Sequence, residues 1–273
     1  MNTSTFTAEL PRGRWLTRRS PRLVRAELLK VRKRRGLLAA TLGLTILPMI
    51  VAYVVLAILH GVDPAKHGPA GGAHNFADSL NFLGALTIVA GILVGATVGT
   101  GDLGAGVFRE LVVTGRSRLA LFAARVPAGL AFLLLPLGVA FSLTATAATL
   151  LHGPLDPPAG RLILHSAGWV GLLGTLSFVI ALGVSSLISS RGTSIGILLG
   201  WLLVAMPLLL QIGSLGVFRE TMIGAATERL EPAAVLGGGA HVPMSVTAAV
   251  LVVAAWTIVP LAAGAWRTVT RDA

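Results

Sequence analysis

Gly99, Gly101 and Gly104 stand in the spacing G-x-G-x-x-G. A dinucleotide-binding turn uses that spacing to hold a pyrophosphate on backbone N–H groups at a helix N-terminus, and it needs a buried strand ahead of the glycines. Ahead of them runs an uncharged apolar stretch from Ser79 to Gly101. Strands rarely exceed ~10 residues, whereas about 20 apolar residues cross a bilayer as helix. The glycines therefore close a membrane span and hold no nucleotide.

The other side chains capable of chemistry are sparse. Six histidines (His60, His67, His74, His152, His165 and His241) fall near one side of the spans. Imidazole binds zinc and copper, but their spacing forms no compact ligand motif and few carboxylates accompany them, so no metal site is assigned. The chain has no cysteine, which excludes a disulfide, a thiolate ligand and a cysteine nucleophile. No nucleophile, base and acid converge near any span, and no G-x-x-x-x-G-K-[ST] loop is present. The chain reads as no enzyme and as holding no cofactor of its own.

What positions the remaining polar residues is a set of apolar runs. Hydrophobic residues make up 54% of the chain and charged residues 12%, against about 25% charged in soluble domains. The mean hydropathy is +0.82. Runs near residues 37–59, 79–101, 126–151, 162–188, 194–216 and 243–266 each suffice to cross a bilayer. None alternates with the two-residue period of a barrel strand, and lipid leaves no partner for open backbone groups, so the fold class is an all-α integral membrane protein with six transmembrane helices. The first run is longer than the h-region of a secretory signal and ends in no clear A-x-A site, so it is expected to stay as an anchor.

Charge orients the bundle. Residues 1–36 carry eleven of the 22 basic residues, which by the positive-inside rule puts the N-terminus in the cytoplasm, and six spans return the C-terminus to the same side. In that topology only Lys66, Arg161, Arg219 and Arg229 lie outside. The net charge of +11 is thus an orientation signal. Its basic residues border lipid without interleaved aromatics, which points to membrane phosphates and not to nucleic acid.

Three regions follow: a basic tail with an interfacial helix (1–36), the six-helix domain (37–266) with a cytoplasmic loop at 102–125, and a C-terminal tail (267–273). Residues 1–20 show no apolar periodicity and are expected to be disordered. From Pro21, Val24, Leu28 and Val31 recur at helical spacing with Arg22, Arg25, Arg32 and Lys33 away from them, which predicts an amphipathic helix at the headgroup level. Residues 60–78 and 217–242 read as outer loops, the second with a short helix over about 218–230. Ser142, Thr144, Thr146 and Thr149 are expected to bond back to their own helix. Gly91, Gly95 and Gly99, and likewise Gly196 and Gly200, form small-x-x-x-small stripes read as helix-packing surfaces. The spans carry no ionisable group near mid-membrane, which disfavours ion coupling.

The loop 102–125 has an apolar knob of Phe108, Leu111 and Val112 at i, i+3, i+4, flanked by Arg109 and Glu110 and bounded by glycines. At this point the chain resembles the ABC-2 type permeases, the membrane subunits of ABC exporters. Asp102, Gly106, Arg109, Leu111, Val112, Thr114, Ser117, Arg118 and Arg125 fall where that family has an acidic residue ending the second span, a G-T-x-R-x-L-L stretch, a small-residue turn, S-R and a basic residue entering the third span. Val107, Val112 and Gly115 depart from the family's frequent Thr, Leu and Pro. Glu27, Leu28, Lys30, Arg32, Arg34 and Arg35 resemble the E-L-x-K-x-R-x-R run of the family's interfacial helix.

The resemblance implies a permease subunit in a bacterial plasma membrane, exporting a hydrophobic or amphipathic compound such as a drug, peptide or lipid. It implies partnership with a second permease copy and with ATP-binding subunits that hold ATP and magnesium. Residues 104–114 would be the coupling helix, with Asp102, Gly106, Phe108, Arg109, Glu110 and Leu111 docking the ATPase. Glu27, Lys30, Arg32, Arg34 and Arg35 would lie on the connecting helix beside it. A secondary transporter and a non-transporting membrane anchor subunit are the alternative readings of the same six-span chain.

Overall fold

The computed structural model describes residues 15–104, 117–188, 190–232, 235 and 242–270, with side chains from residue 21 onward other than those of 102–104. Among these residues there is no strand. Six helices are long and apolar enough to cross a membrane, which makes the chain a multi-pass membrane protein. A leading helix (Trp15–Lys33) precedes span one (Arg35–Val62). Span two is Ala73–Gly104, span three Arg118–Leu150 and span four Gly160–Ile188. Span five covers Arg191–Gln211, and span six is Val246–Thr270.

Spans two and four form the centre. Two-thirds of each one's apolar window is buried (67%), against 17% for span one and 6% for span six. Small residues make this possible: Gly91, Gly95 and Gly99 of span two face Ser177, Ala181 and Ser185 of span four. A Cβ added to Gly95 would lie 2.8 Å from the Ala181 Cβ, so the two backbones approach closely along the whole stripe. The packing expected of that stripe is what it does. Gly196 and Gly200 pack against nothing within the described residues, none of which comes within 4 Å of a Cβ built on either.

Many hydroxyls inside the spans are spent locally, although buried Thr87 and Ser166 have no partner among the described residues and Asn81 donates to the distant Val235 carbonyl at 3.1 Å. Ser142, Thr144 and Thr149 donate to the carbonyls of Gly138, Ala140 and Ala145 at 2.8, 2.9 and 2.7 Å, as expected for hydroxyls in a membrane helix. Span five departs from a regular α-helix, widening into a π-helix over Gly200–Ala205 before Met206–Gln211 resumes. The cause is Pro207, which has no amide to give the carbonyl four residues back.

The leading helix and the last turn of span six lie at one end of the bundle, called here the near end. There the Arg118 guanidinium Nη1 donates to the Val269 carbonyl at 3.2 Å, and the Arg34 guanidinium lies against Gly101. At the far end the connections interlock, with the N–H groups of Gly71, Gly72 and Ala73 donating to the carbonyls of Leu151, Ala148 and Asp156.

Several boundaries differ from the sequence reading; span two begins at Ala73, inside the 60–78 stretch expected as an outer loop. The leading helix begins at Trp15, so residues 15–20 are helical where a disordered tail was expected; Pro21 sits within it at the loss of one backbone bond. Span three starts at Arg118 and not near 126, its first turn capped by the Ser117 Oγ accepting from the Ala120 N–H at 3.2 Å. Within the stretch expected as an outer loop, the short helix is present as Ile223–Arg229 but packs into the bundle, while Gly213–Thr221 buries no residue.

Candidate coupling face and the re-entrant segment

The near end is built from the leading helix and the opening turns of span three, against which it packs. Val24, Glu27, Leu28 and Val31 recur at i, i+3, i+4, i+7 and form its inner face, with Glu27 and Val31 only 8% and 5% exposed. Glu27 is thus a carboxylate inside the apolar stripe. It is paired there with Lys30, whose Nζ lies 2.8 Å from the Glu27 Oε1. Arg22, Arg25, Arg32 and Lys33 are exposed on the other side, so the helix offers a basic face outward; Arg34 and Arg35, expected on the same helix, instead form the break and the first residue of span one, and are exposed there. Arg125 is buried two turns into span three, about 10 Å from its start.

Of the residues singled out in the sequence, Glu27, Lys30, Arg32, Arg34 and Arg35 therefore lie together at the near end. Asp102 falls on the last turn of span two, and its side chain lies outside the described residues, as do Gly106, Phe108, Arg109, Glu110 and Leu111. Of the histidines, His60 and His152 direct Nδ1 at the carbonyls of His67 and Leu155, at 2.8 and 2.7 Å, and His74 Nε2 lies 3.5 Å from the Asp78 carboxylate. Among the described residues no three His, Asp or Glu side chains gather as metal ligands would.

Sequence reasoning missed the far-end feature. After Gln211 the chain forms a 3₁₀ segment (Gly213–Thr221), kinked at Gly216 where φ is +49°, a conformation glycine adopts without strain. A short helix, Ile223–Arg229, follows and buries Ile223, Ala225 and Ala226. Three contacts hold the segment at depth. The Trp256 indole N–H donates to the Thr221 carbonyl at 3.0 Å, the Trp169 indole N–H to the Thr227 carbonyl at 3.2 Å, and the Gly224 N–H to the Met206 sulfur at 3.2 Å. Trp256 stands ten residues into span six, about 15 Å from its far end, so the segment re-enters the bundle between spans four, five and six. Part of the signal was present in the sequence: Trp169 and Trp256 are two of four tryptophans inside the apolar spans, each with an indole donor that lipid cannot satisfy.

Beneath this segment lies a cleft walled by Ile88, Leu176, Ile180, Leu202, Met206 and Ile223. Its two hydroxyls are already used, Ser177 donating to the Leu173 carbonyl at 2.7 Å and Thr227 to the Gly224 carbonyl at 3.0 Å. Such a lining accommodates apolar groups and offers an ion nothing. Just past the helix, Glu231 has its carboxyl pushed up to about 7, first by burial and then by the nearby Glu228 carboxylate.

No protein-family model matches the chain, and no curated protein matches it in sequence.

Proposed function

We propose that the chain is the membrane subunit of an ATP-driven ABC exporter of the ABC-2 type, moving a hydrophobic or amphipathic compound across a bacterial plasma membrane. The observation that carries this reading is the juxtaposition at the near end. The basic leading helix, the close of span two, the start of span three and the end of span six all meet there, so the leading helix shares one end of the bundle with the two spans that the 102–125 loop connects. The excess of basic residues on that end supports a cytoplasmic placement. The leading helix is then the interfacial connecting helix, its exposed Arg32 at the phosphate level with Arg34 and Arg35 of the junction to span one.

On this reading residues 104–114 dock on the ATP-binding subunit, with Phe108 and Leu111 as apolar anchors and Arg109 and Glu110 as rim charges that set orientation. ATP and magnesium stay with that subunit. Two permease copies re-pack at their mutual interface as the ATPases close, and only differential binding of the two states drives that change. The apolar cleft and the locally spent hydroxyls support a cargo without an ionic handle.

The test is co-expression with the candidate ATP-binding subunit, gentle solubilisation and co-purification, for the native chain and Phe108→Asp. The expected result is a complex with the native chain that is lost in the variant while membrane insertion persists. A well-folded chain that captures no ATPase, or a complex indifferent to Phe108→Asp, overturns the reading. Transport abolished by an uncoupler in the absence of any ATPase would transfer it to secondary transport.

A further inference from the structure

We infer that Arg219, on the re-entrant segment, holds the phosphate of a lipid in the leaflet at the far end of the bundle. Four observations lead there, and none depends on the transport reading beyond the chain crossing a bilayer.

The first is depth. Span five has 21 residues, Arg191–Gln211, close to the roughly 30 Å of a hydrocarbon core. With Arg191 at the near headgroups, Leu210 reaches the far ones. Arg219 Nη1 donates to the Leu210 carbonyl at 3.2 Å, which fixes the guanidinium at that level. The carbonyls at the end of span five draw a cation to this place.

The second is the missing counter-ion. Among the described residues Arg219 has no carboxylate partner, and its buried Nε has no acceptor. A cation half withdrawn from water at a bilayer boundary is costly without an anion. A phosphate bridging Nε and a terminal nitrogen side-on would satisfy both in the geometry guanidinium favours.

The third is the flank. Val217 and Phe218, immediately before Arg219, are 73% and 60% exposed, and Ile212 is 45% exposed. Apolar side chains beside an unpaired cation at the headgroup level match a lipid, whose acyl chains meet the first and whose phosphate meets the second. A free phosphate would use only the guanidinium. The fourth is contrast: Arg229, also at the far end, has its Nε satisfied by the Met244 carbonyl at 2.9 Å.

The experiment is native mass spectrometry of the full chain released from detergent after addition of phosphatidylglycerol, comparing the native chain with Arg219→Gln, Arg219→Lys, Arg229→Gln and Val217→Ser/Phe218→Ser. Folding of each is checked by size exclusion and tryptophan fluorescence. Expected is a retained lipid in the native chain, retention about tenfold weaker in Arg219→Gln, partial in Arg219→Lys, unchanged in Arg229→Gln and reduced in the double serine variant. Equal retention by folded Arg219→Gln, or an equal loss in Arg229→Gln, overturns the site. Displacement of the lipid by millimolar inorganic phosphate, with no effect of the serine pair, overturns its assignment to lipid.

Discussion

Gly95 of span two and Ala181 of span four meet so closely that a methyl group added to the glycine would sit 2.8 Å from that of the alanine. This contact lies midway along the stripe that joins the two most buried spans, so the whole bundle is assembled around it. Without a hydrophobic drive between helices in lipid, such close packing is what holds them together.

Gly95→Val is therefore expected to cost at least about 1–3 kcal/mol through overpacking against backbone that has no room to yield. Gly200→Val, on a helix face where no chain atom lies within 4 Å, is expected to leave the thermal midpoint of the purified chain unchanged. Fluorescence-detected size exclusion after heating measures both. Equal midpoints for the two variants would contradict the central pairing.

Trp256→Phe keeps an aromatic ring and removes the donor that ties span six to Thr221. The bond is worth about 0.5–1.5 kcal/mol. Faster amide exchange over residues 222–229, with the six spans unaffected, is the expected outcome. Unchanged exchange there would show that Trp169 and Met206 suffice to hold the segment.

Glu231 supplies a pH dependence of defined sign. Its carboxyl is raised from 4.5 to about 7, so the folded chain holds that proton more tightly than the unfolded one. Its contribution to stability is therefore fully present below about pH 4.5, declines as pH rises, and is lost above about pH 7. The native chain should have a higher thermal midpoint near pH 5 than near pH 8, and Glu231→Gln should lose that part of the difference. An identical pH profile in the variant would remove Glu231 as its source.

Glu27 links the leading helix to the bundle from within its apolar face. Glu27→Lys places a cation in the buried Glu27 position beside the exposed Lys30, where it is desolvated and repelled by its neighbour. The leading helix should detach, and trypsin should cleave at Arg22 and Arg25 at least about tenfold faster while the spans stay protected. Unaltered cleavage would mean that Val24, Leu28 and Val31 anchor the helix without help from the carboxylate.

The six spans were legible in the sequence, because backbone groups in lipid must pair within their own segment and a sufficiently long apolar run has only the helix open to it. The basic leading helix was legible for a similar reason, since the spacing of Val24, Leu28 and Val31 depends on helical period alone. So was the glycine stripe of span two, and the spending of Ser142, Thr144 and Thr149 on their own carbonyls, which are local effects. Glu27 within the apolar face could have been read from the same period, as could the starting turn of span three from Ser117.

What only the tertiary structure decided are relations between segments distant in the chain. Glycine stripes of the same form appear in spans two and five, and nothing local distinguishes them. Ser177, Ala181 and Ser185 meet the stripe of span two, while Gly196 and Gly200 of span five face away from the rest of the chain. Likewise Gly213–Arg229 carries the glycines and charges of a loop, and the packing of its Ile223–Arg229 helix into the bundle depends on Trp169, Trp256 and Met206, which belong to three different spans. Hydropathy reports what each segment can bury in lipid; it does not report which neighbour will satisfy its remaining donors. That assignment is made when the helices pack, and here it sets Arg219 against the last carbonyls of span five.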